Sequence, residues 1–565
     1  MKLTGAQVLF KVLQQENVDT IFGYPGGSVM DIYDELFRHE DIKHFLVRHE
    51  QGAIHAADGY ARASGKIGVC LVTSGPGATN TVTGIANAYM DSIPIVVLTG
   101  QVPISMIGND AFQEVDITGI TRPCTKHNFL VRDVENLART IKEAFHIARS
   151  GRPGPVLIDL PKNVMQALVD DSTLSYPISF ADEESDPIEK KCAEALELIR
   201  KSRKPLIFCG GGVILGRAWR EFRAFAKKLN CPVTSSLMGL GAFPGSDPLW
   251  LGMLGMHGTY YANMAISNAD LLIAVGVRFD DRVTSKVEAF APHAKIIHID
   301  IDPVSIDKTV RTDVSIVSDC KPVLQLFNEW LSHDPVVTPE EHTKEWRAQI
   351  AEWKEKVPLS YCRGEKIKPQ YVIEKLYELT KGKAIIATEV GQNQMWAAQF
   401  YPVDEPNTFI SSGGLGTMGF GFPAAIGAQV ACPEKLVVDI AGDGSIQMNI
   451  QEMATAVQYK LPIKIVILNN GFLGMVRQWQ ELFYGKRYSE TDMSYAPDFV
   501  KLAEAYGATG LRCTKPDEVK ATLQKGLDTP GTVVMDFRVE PEEGVFPMVK
   551  PGVPLTEMTL GKKKD

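Results

Sequence analysis

Short apolar runs ending in glycine or a polar turn, each leading into a helical stretch, recur through the 565 residues from Ile21 to Phe537. Strands separated by a helix-length connection pair in parallel, because a tight turn can join only antiparallel neighbours. Runs that are apolar throughout, without alternation, belong to strands covered on both faces. The chain is therefore expected to be α/β, with helices on both sides of parallel sheets. The spacing predicts strands at 21–22, 45–47, 69–72 and 95–98, with helices at 29–37 (capped by Ser28), 53–63 and 82–90. Further strands are expected at 205–209, 271–275 and 296–299, then at 384–387, 436–440, 463–468 and 533–537. A polar, proline-bearing segment at 170–187 and a charged stretch at 334–368 divide these blocks. Three domains follow, at 1–165, 188–335 and 369–550, as a chain of this length requires.

Composition narrows the partners. The net charge of −9 argues against a nucleic-acid coat and leaves no basic membrane patch. The Lys562-Lys563-Lys564 tail reads as a solvated end. The apolar stretches, such as 271–277, are too short to cross a bilayer, and Met1-Lys2 runs straight into a helical pattern without a leader-like segment. A cytoplasmic protein is the expectation. The nine cysteines include no CxxC and sit mostly in apolar runs, which predicts buried free thiols. His49-Glu50 is followed by His55, two places too late for a zinc-binding HExxH helix face.

The sharpest local signal is at 437–470. An apolar strand ends in Gly442-Asp443-Gly444-Ser445, a helix is expected at 450–457, and the next strand ends in Asn469-Asn470. Asp443 and Asn470 are 27 positions apart, one strand–helix–strand unit, so neighbouring parallel strands can deliver both to one sheet edge. A carboxylate and an amide oxygen are hard ligands, suited to magnesium or calcium. Gly444 permits close approach of a phosphate. A lone GDG equally marks a turn with a helix cap; the added NN at this distance makes the metal reading the stronger one.

That string resembles the diphosphate–magnesium motif of thiamine diphosphate enzymes. Arg48-His49-Glu50-Gln51-Gly52-Ala53 matches a second element of that group. Nearly the whole chain is similar to the large, catalytic subunits of the acetolactate (acetohydroxyacid) synthases. The similarity is carried by FGYPGGSVMDIYD from Phe22, TSGPGATN from Thr73, GQVPISMIGNDAFQEVD from Gly100 and RPGPVLIDLPK ending at Lys162. It continues in GMLGMHG from Gly252, GVRFDDR from Gly276, SGGLGTMGFG from Ser412 and VRQWQ from Val476.

The resemblance implies three parallel-sheet domains of the pyruvate oxidase/decarboxylase type and three cofactors: thiamine diphosphate, Mg2+ and FAD. By family position, Asp443, Asn470 and the carbonyl of Phe472 would hold the metal. Gly391, Gln392, Asn393, Gly416, Gly442, Gly444 and Ser445 would surround the diphosphate. Met418 would wedge under the coenzyme, and Met475 would lie beside it. Asn393 stands where the family string GQHQ has histidine, so it brings an amide in place of an imidazole. Glu50 would hydrogen-bond N1′ of the aminopyrimidine, with Gln113 and Lys162 also in the catalytic region. The middle domain would bind FAD through Gly210, Gly211, Gly212, Met238, His257, Gly276, Arg278, Asp280, Asp300 and Asp319. Gly27, Phe112, Arg282, Met475 and Trp479 would form the substrate pocket. Arg282 would receive the second keto acid's carboxylate. Met475 and Trp479 would flank its alkyl group.

The implied reaction decarboxylates pyruvate and transfers its two-carbon unit to pyruvate or 2-ketobutyrate, in branched-chain amino-acid synthesis. The implied assembly is a homodimer or dimer of dimers, with a small regulatory subunit. Taken without the family, Glu50 is a helix cap, Lys162 a strand-end charge, Met418 and Trp479 core residues, and Asp300 a turn acceptor. Pyruvate oxidase shares the fold and cofactors, but the GVRFDDR, GMLGMHG and VRQWQ strings favour the synthase.

Overall fold

The computed structural model describes residues 1–174, 188–333 and 342–561. Most of the expected linker, the start of the charged stretch and the lysine tail lie outside the described residues.

Three six-stranded sheets, each parallel throughout, carry the chain. The first contains β1 (Thr20–Tyr24), β2 (Lys43–Leu46), β3 (Gly68–Val72), β4 (Ile95–Gln101), β5 (His127–Leu130) and β6 (Val156–Pro161), in the order β2-β1-β3-β4-β6-β5. The second contains β7 (Pro205–Cys209), β8 (Val233–Ser235), β9 (Trp250–Met253), β10 (Leu271–Val275), β11 (Lys295–Asp300) and β12 (Val314–Val317), in the order β9-β8-β7-β10-β11-β12. The third contains β13 (Ile385–Thr388), β14 (Phe409–Ile410), β15 (Val437–Gly442), β16 (Lys464–Asn469), β17 (Thr509–Cys513) and β18 (Val533–Arg538), in the order β14-β13-β15-β16-β18-β17. The first and third sheets thus share one topology. The second is the other doubly wound order, familiar from dinucleotide-binding folds.

The central strands β3, β7 and β10 are buried at every position, as their unbroken apolar sequences require. Cys70, Cys192, Cys209, Cys231, Cys320 and Cys513 are buried free thiols.

The first and third sheets share a core that runs from Ile54, Ala57 and Tyr60 to Phe420, Ile426 and Ile465. At its centre two helices cross, α1 (Glu50–Ser64) and α2 (Gly421–Ala431). Their crossing is made of the smallest residues. A Cβ on Gly59 would overlap the Ala424 carbonyl, and one on Gly427 would overlap that of Ala56. His49, not Glu50, caps α1: its side chain accepts from the Gln51 amide at 3.1 Å, and Glu50 begins the helix.

Two local expectations change. Ser28 is no helix cap, because its hydroxyl accepts from the Ser74 amide at 3.0 Å and bonds Thr73, tying the Gly26-Gly27 turn to the end of β3. The helix expected at 450–457 is a 3-10 segment, Ile446–Glu452, followed by Met453–Gln458. Asn449 interrupts the helical backbone where its amide donates to Gly419 O at 2.7 Å.

Candidate active site

In sheets of these topologies a crevice opens at the carboxyl ends of the two strands where the order reverses. All three crevices carry the residues singled out from sequence.

In the third sheet the reversal lies between β13 and β15. Gly391 follows β13 with φ 152°, a conformation that favours glycine, and opens the helix Gln392–Phe400. Gly442-Asp443-Gly444-Ser445 follows β15, and Ser445 Oγ lies 3.3 Å from both the amide and the carbonyl of Gly442. Asn393 is buried and spans the two strands, donating to Glu389 O at 2.9 Å and Ile440 O at 2.8 Å. It therefore braces the crevice in a way an imidazole ring would not repeat.

Asp443 is buried, and its Oδ2 has no hydrogen-bond partner among the described residues. Burial pushes its carboxyl up to about 6, despite backbone donors that favour the charge. Asn470 directly follows the next strand, β16; its amide donates to Gln392 Oε1 at 3.1 Å and its oxygen accepts from the Phe472 amide at 3.0 Å. An orphaned carboxylate oxygen, an amide oxygen and nearby backbone make a donor set that fits a hard cation. A Cβ on Gly444 would meet Leu473 at 2.7 Å, with the Met418 methyl 3.9 Å away, so Met418 leans toward this turn.

The second sheet reverses between β7 and β10, and here the chain crosses itself on glycine. A Cβ on Gly212 would lie 2.6 Å from Gly276 Cα, and one on Gly210 would overlap Gly276 O. Gly211 faces Met238. A cavity of about 570 Å³ opens from this crossing and is lined by Gly210–Gly212, Met238, His257, Arg278, Asp280, Asp300 and Asp319. It is also lined by Gly391, Gly416, Met475 and Trp479 of the third domain and by Arg282. Its size and glycine floor fit a large, flat, phosphate-bearing group.

Some of these polar groups are already engaged. Asp280 caps a short helix through the Arg282 amide at 3.0 Å; Asp300 accepts from Asp302 N at 2.9 Å and Asp319 from Lys321 N at 2.8 Å. Burial lowers His257 to about 4, so its ring is neutral. The Arg282 guanidinium sits 5.9 Å from the Trp479 ring centre, and the Trp479 indole packs edge-on against Phe483.

Glu50, Gln113, Lys162, Gly27 and Phe112 lie outside that cavity. They gather at the carboxyl end of the first sheet. Glu50 Oε2 accepts from Asn80 Nδ2 at 2.9 Å. Lys162 Nζ donates to Gly27 O at 2.9 Å. Gln113 has φ 60° and its backbone closes over Gly75, where a Cβ would lie 2.8 Å from Gln113 O. Phe112 is 88% exposed.

Residues 3–120, 192–327 and 389–537 match, in turn, the N-terminal TPP binding domain, the central domain and the C-terminal TPP binding domain of the thiamine pyrophosphate enzymes. Over 570 residues the chain is 50% identical to the acetolactate synthase isozyme 3 large subunit of Escherichia coli (strain K12), covering 99% of each. The chain belongs to the acetolactate synthase large-subunit family. It is also 48% identical to the acetolactate synthase large subunit of Haemophilus influenzae, over 100% of this chain and 99% of that one. To the chloroplastic acetolactate synthase 1 of Oryza sativa subsp. japonica it is 49% identical, over 98% of this chain and 88% of that protein.

Within this family fold, several residues that shape the site escaped the sequence reading. Asn80, the partner of Glu50, lies in the TSGPGATN run already singled out. Arg477, inside VRQWQ, is sandwiched with its guanidinium 4.1 Å from the rings of both Phe472 and Tyr488, and it donates to Glu542 at 2.6 Å. Arg62 is buried between Asp58 and Asp91, and Asp91 accepts from the amides of Gly413 and Gly414. Arg62–Asp58 is an ordinary i,i+4 pair, but no spacing rule predicts Asn80–Glu50, Arg477–Glu542 or Arg62–Asp91, because each joins segments distant in sequence.

Proposed function

We propose that this chain is the catalytic subunit of an acetolactate synthase that uses thiamine diphosphate, Mg2+ and FAD. Two pyruvates and one proton give 2-acetolactate and carbon dioxide; pyruvate with 2-ketobutyrate gives 2-aceto-2-hydroxybutyrate. The observation that carries this reading is Arg282 beside the Trp479 indole in the wall of the large cavity. A guanidinium there suits a keto acid's carboxylate, and the indole suits its alkyl group.

Thiamine diphosphate supplies, when bound, an electron sink for the carbon that loses carbon dioxide. Asp443, Asn470 and the Phe472 carbonyl would hold the metal, and Gly391, Gln392, Gly416, Gly442, Gly444 and Ser445 the diphosphate. Glu50 would hold and return a proton at the pyrimidine N1′, with Asn80 fixing the direction of its carboxylate. Met418 would support the bent coenzyme. Gln113, Lys162 and Gly27 would line the approach. The middle-domain cavity would hold FAD as a structural group, because the reaction involves no net redox change.

Glu50 and the exposed Phe112 lie apart from the Arg282–Trp479 pocket, which supports a site completed by a second copy of the chain. A homodimer or dimer of dimers is therefore part of the proposal, as is a small regulatory subunit, which the phrase "large subunit" in the relatives' names also suggests. Domain limits of 1–165, 188–335 and 369–550 enclose the three sheets. Among the described residues no helix is long and apolar enough to cross a membrane.

The test is product analysis of the purified chain with pyruvate, thiamine diphosphate and Mg2+ under nitrogen, beside its visible absorption spectrum. Acetolactate formed without oxygen, from a protein with a flavin band, is expected. Oxygen-dependent turnover that reduces the flavin in each cycle would replace the synthase reading with an oxidase.

A further inference from the structure

A buried carboxyl pair stands behind the Met418 loop, and no step above uses it. Glu389 follows β13 and Asp439 lies in β15, on adjacent strands paired at Ala387–Asp439 and Thr388–Ile440. Both are fully buried. Glu389 accepts from two backbone amides, Gly419 N at 2.6 Å and Phe422 N at 3.0 Å. Asp439 accepts from no donor among the described residues at either oxygen. Gly421 closes over the pair: a Cβ there would lie 2.5 Å from Asp439 Oδ1.

Two carboxylates cannot both stay ionised in such a space, since a buried charge needs a partner and like charges raise each other. Burial pushes Glu389 up to about 7 and Asp439 well above its ordinary value, with Glu389 adding to the latter. The donors decide which one keeps its charge. Two N–H groups point at Glu389 and none at Asp439, so the anion belongs on Glu389 and the proton on Asp439.

Met418 is strung between two anchors. On one side the Thr417 amide donates to Ser412 Oγ at 2.8 Å and the Thr417 hydroxyl to Asn87 at 3.2 Å. On the other, Gly419 is held by Glu389 through its amide and by Asn449 through its carbonyl. Gly419 has φ 88°, with Met448 and Asn449 against it, so the turn has little freedom to adjust.

We propose that Asp439 and Glu389 act as one acid–carboxylate unit, in which a protonated Asp439 lets an anionic Glu389 clamp the Gly419–Phe422 turn and so position Met418. Glu389 is then a positioning residue for the reaction. This rests on Met418 supporting the coenzyme.

The experiment combines Asp439→Asn, Glu389→Gln, Met418→Ala and the Glu389→Gln/Met418→Ala double variant in the full-length enzyme. Infrared spectroscopy reads the protonated-carboxyl C=O band; kinetics read kcat and the coenzyme concentration at half-saturation. In the difference spectrum between wild type and Asp439→Asn, one protonated-carboxyl band should be lost. That variant, neutral like the acid it replaces, should keep kcat close to wild type. Glu389→Gln turns an amide NH2 toward a backbone N–H. It should lower kcat roughly 10- to 100-fold, in line with a misplaced active-site group, with little change in coenzyme half-saturation. Added to Met418→Ala, Glu389→Gln should cost little more, because both act through one side chain.

An Asp439→Asn difference spectrum with no lost carboxyl band, a fall in kcat from Asp439→Asn as large as that from Glu389→Gln, or fully multiplicative effects in the double variant would overturn the proposal. If Glu389→Gln does not fold, the band and Asp439→Asn still decide the protonation. If Met418→Ala alone leaves kcat unchanged, the coenzyme-support reading fails, and the positioning role with it; the band reports on the acid pair independently.

Discussion

Gly427→Ala should damage the enzyme from a distance. The added methyl would overlap the Ala56 carbonyl oxygen and sit 2.7 Å from both Ala56 C and Tyr60 N. Overpacking costs about 1–3 kcal/mol where side chains can yield. Here the obstacle is helix backbone, which has no rotamer to escape into, so the upper end, about 3 kcal/mol, applies. Relief requires α1 and α2 to move apart, which weakens every Ala–Ala contact at the crossing. The readout is amide hydrogen exchange resolved to peptides, because a three-domain chain has no single unfolding transition. Amides of 50–64 and 421–431 should exchange about 100-fold faster, the equivalent of about 3 kcal/mol, while those of β7 and β10 stay unchanged. Glu50 is the first residue of α1, so the same shift moves it, and kcat should fall by up to about 100-fold, the cost of a misplacement near 1 Å. Gly364→Ala, at an exposed glycine with nothing within 4 Å of its Cβ position, is the control. Gly59→Ala strikes the same crossing, where its Cβ would overlap Ala424 O, so the double variant should lose less than the sum. Wild-type exchange and kcat in Gly427→Ala would show that the crossing is not rigid and does not set the position of Glu50.

Three further outcomes are expected. Asp443→Asn should weaken Mg2+-dependent coenzyme binding by more than about 100-fold, since loss of even an outer-sphere partner costs 10- to 100-fold; titration of coenzyme at several Mg2+ concentrations checks it. Trp479→Leu should reduce the preference for 2-ketobutyrate over pyruvate by as much as the roughly 1–3 kcal/mol that one enclosed methylene supplies, read as the ratio of the two acetohydroxyacids formed in competition. Asp159 is buried between Thr99 and Gln101, and burial raises its carboxyl to about 7. Its protonated form is the favoured one in the fold, so the stability it contributes is complete below about pH 4 and is lost as pH rises through 7. Asp159→Asn should therefore flatten the pH dependence of exchange in β4 and β6 over that window, with a gain of up to about 4 kcal/mol at pH 8.

What was legible in the sequence follows burial. The strands β3, β7, β10, β15 and β16 stand near the middle of their sheets, covered on both faces, and each is a mainly apolar run, β15 in spite of Asp439. The edge strands β5, β9, β12, β14 and β17 were not singled out: they are short or partly exposed, and polar residues interrupt β5, β12 and β17. β6 and β8 are wholly buried yet were not singled out: β8 is three residues long with Thr234 at its centre, and β6 ends in Pro161. The candidate site was legible where a motif lies within one strand–turn–helix unit, as at Gly442–Ser445 and Gly210–Gly212. The braces were not, because Asn80–Glu50, Arg477–Phe472 and Glu389–Gly419 depend on which turns the fold brings together. Asn393 is a middle case: its departure from the family string was visible, while its role as a link between β13 and β15 needed coordinates.

The division of labour among the sheets explains where the chain can tolerate change. Glu50 begins α1 beside the crevice of the first sheet, and α2 begins directly after the loop that carries Met418 at the crevice of the third. The two helices meet most closely at Gly59–Ala424 and Gly427–Ala56, and Glu452 adds a second tie by accepting from the amides of Arg48 and His49. The relative placement of the proposed proton-transfer group and the coenzyme support is thus set by a contact that contains neither. A larger residue on an exposed helix face costs little, whereas one methyl at the crossing moves both ends of the proposed chemistry. The proposed substrate end is built differently: Arg282 and Trp479 come from the second and third domains and meet across a cavity, not across a packed core. A cavity wall can be altered one side chain at a time without shifting a helix. Substrate preference should therefore change readily by substitution at Trp479 or Met475, while activity itself remains tied to Gly59 and Gly427.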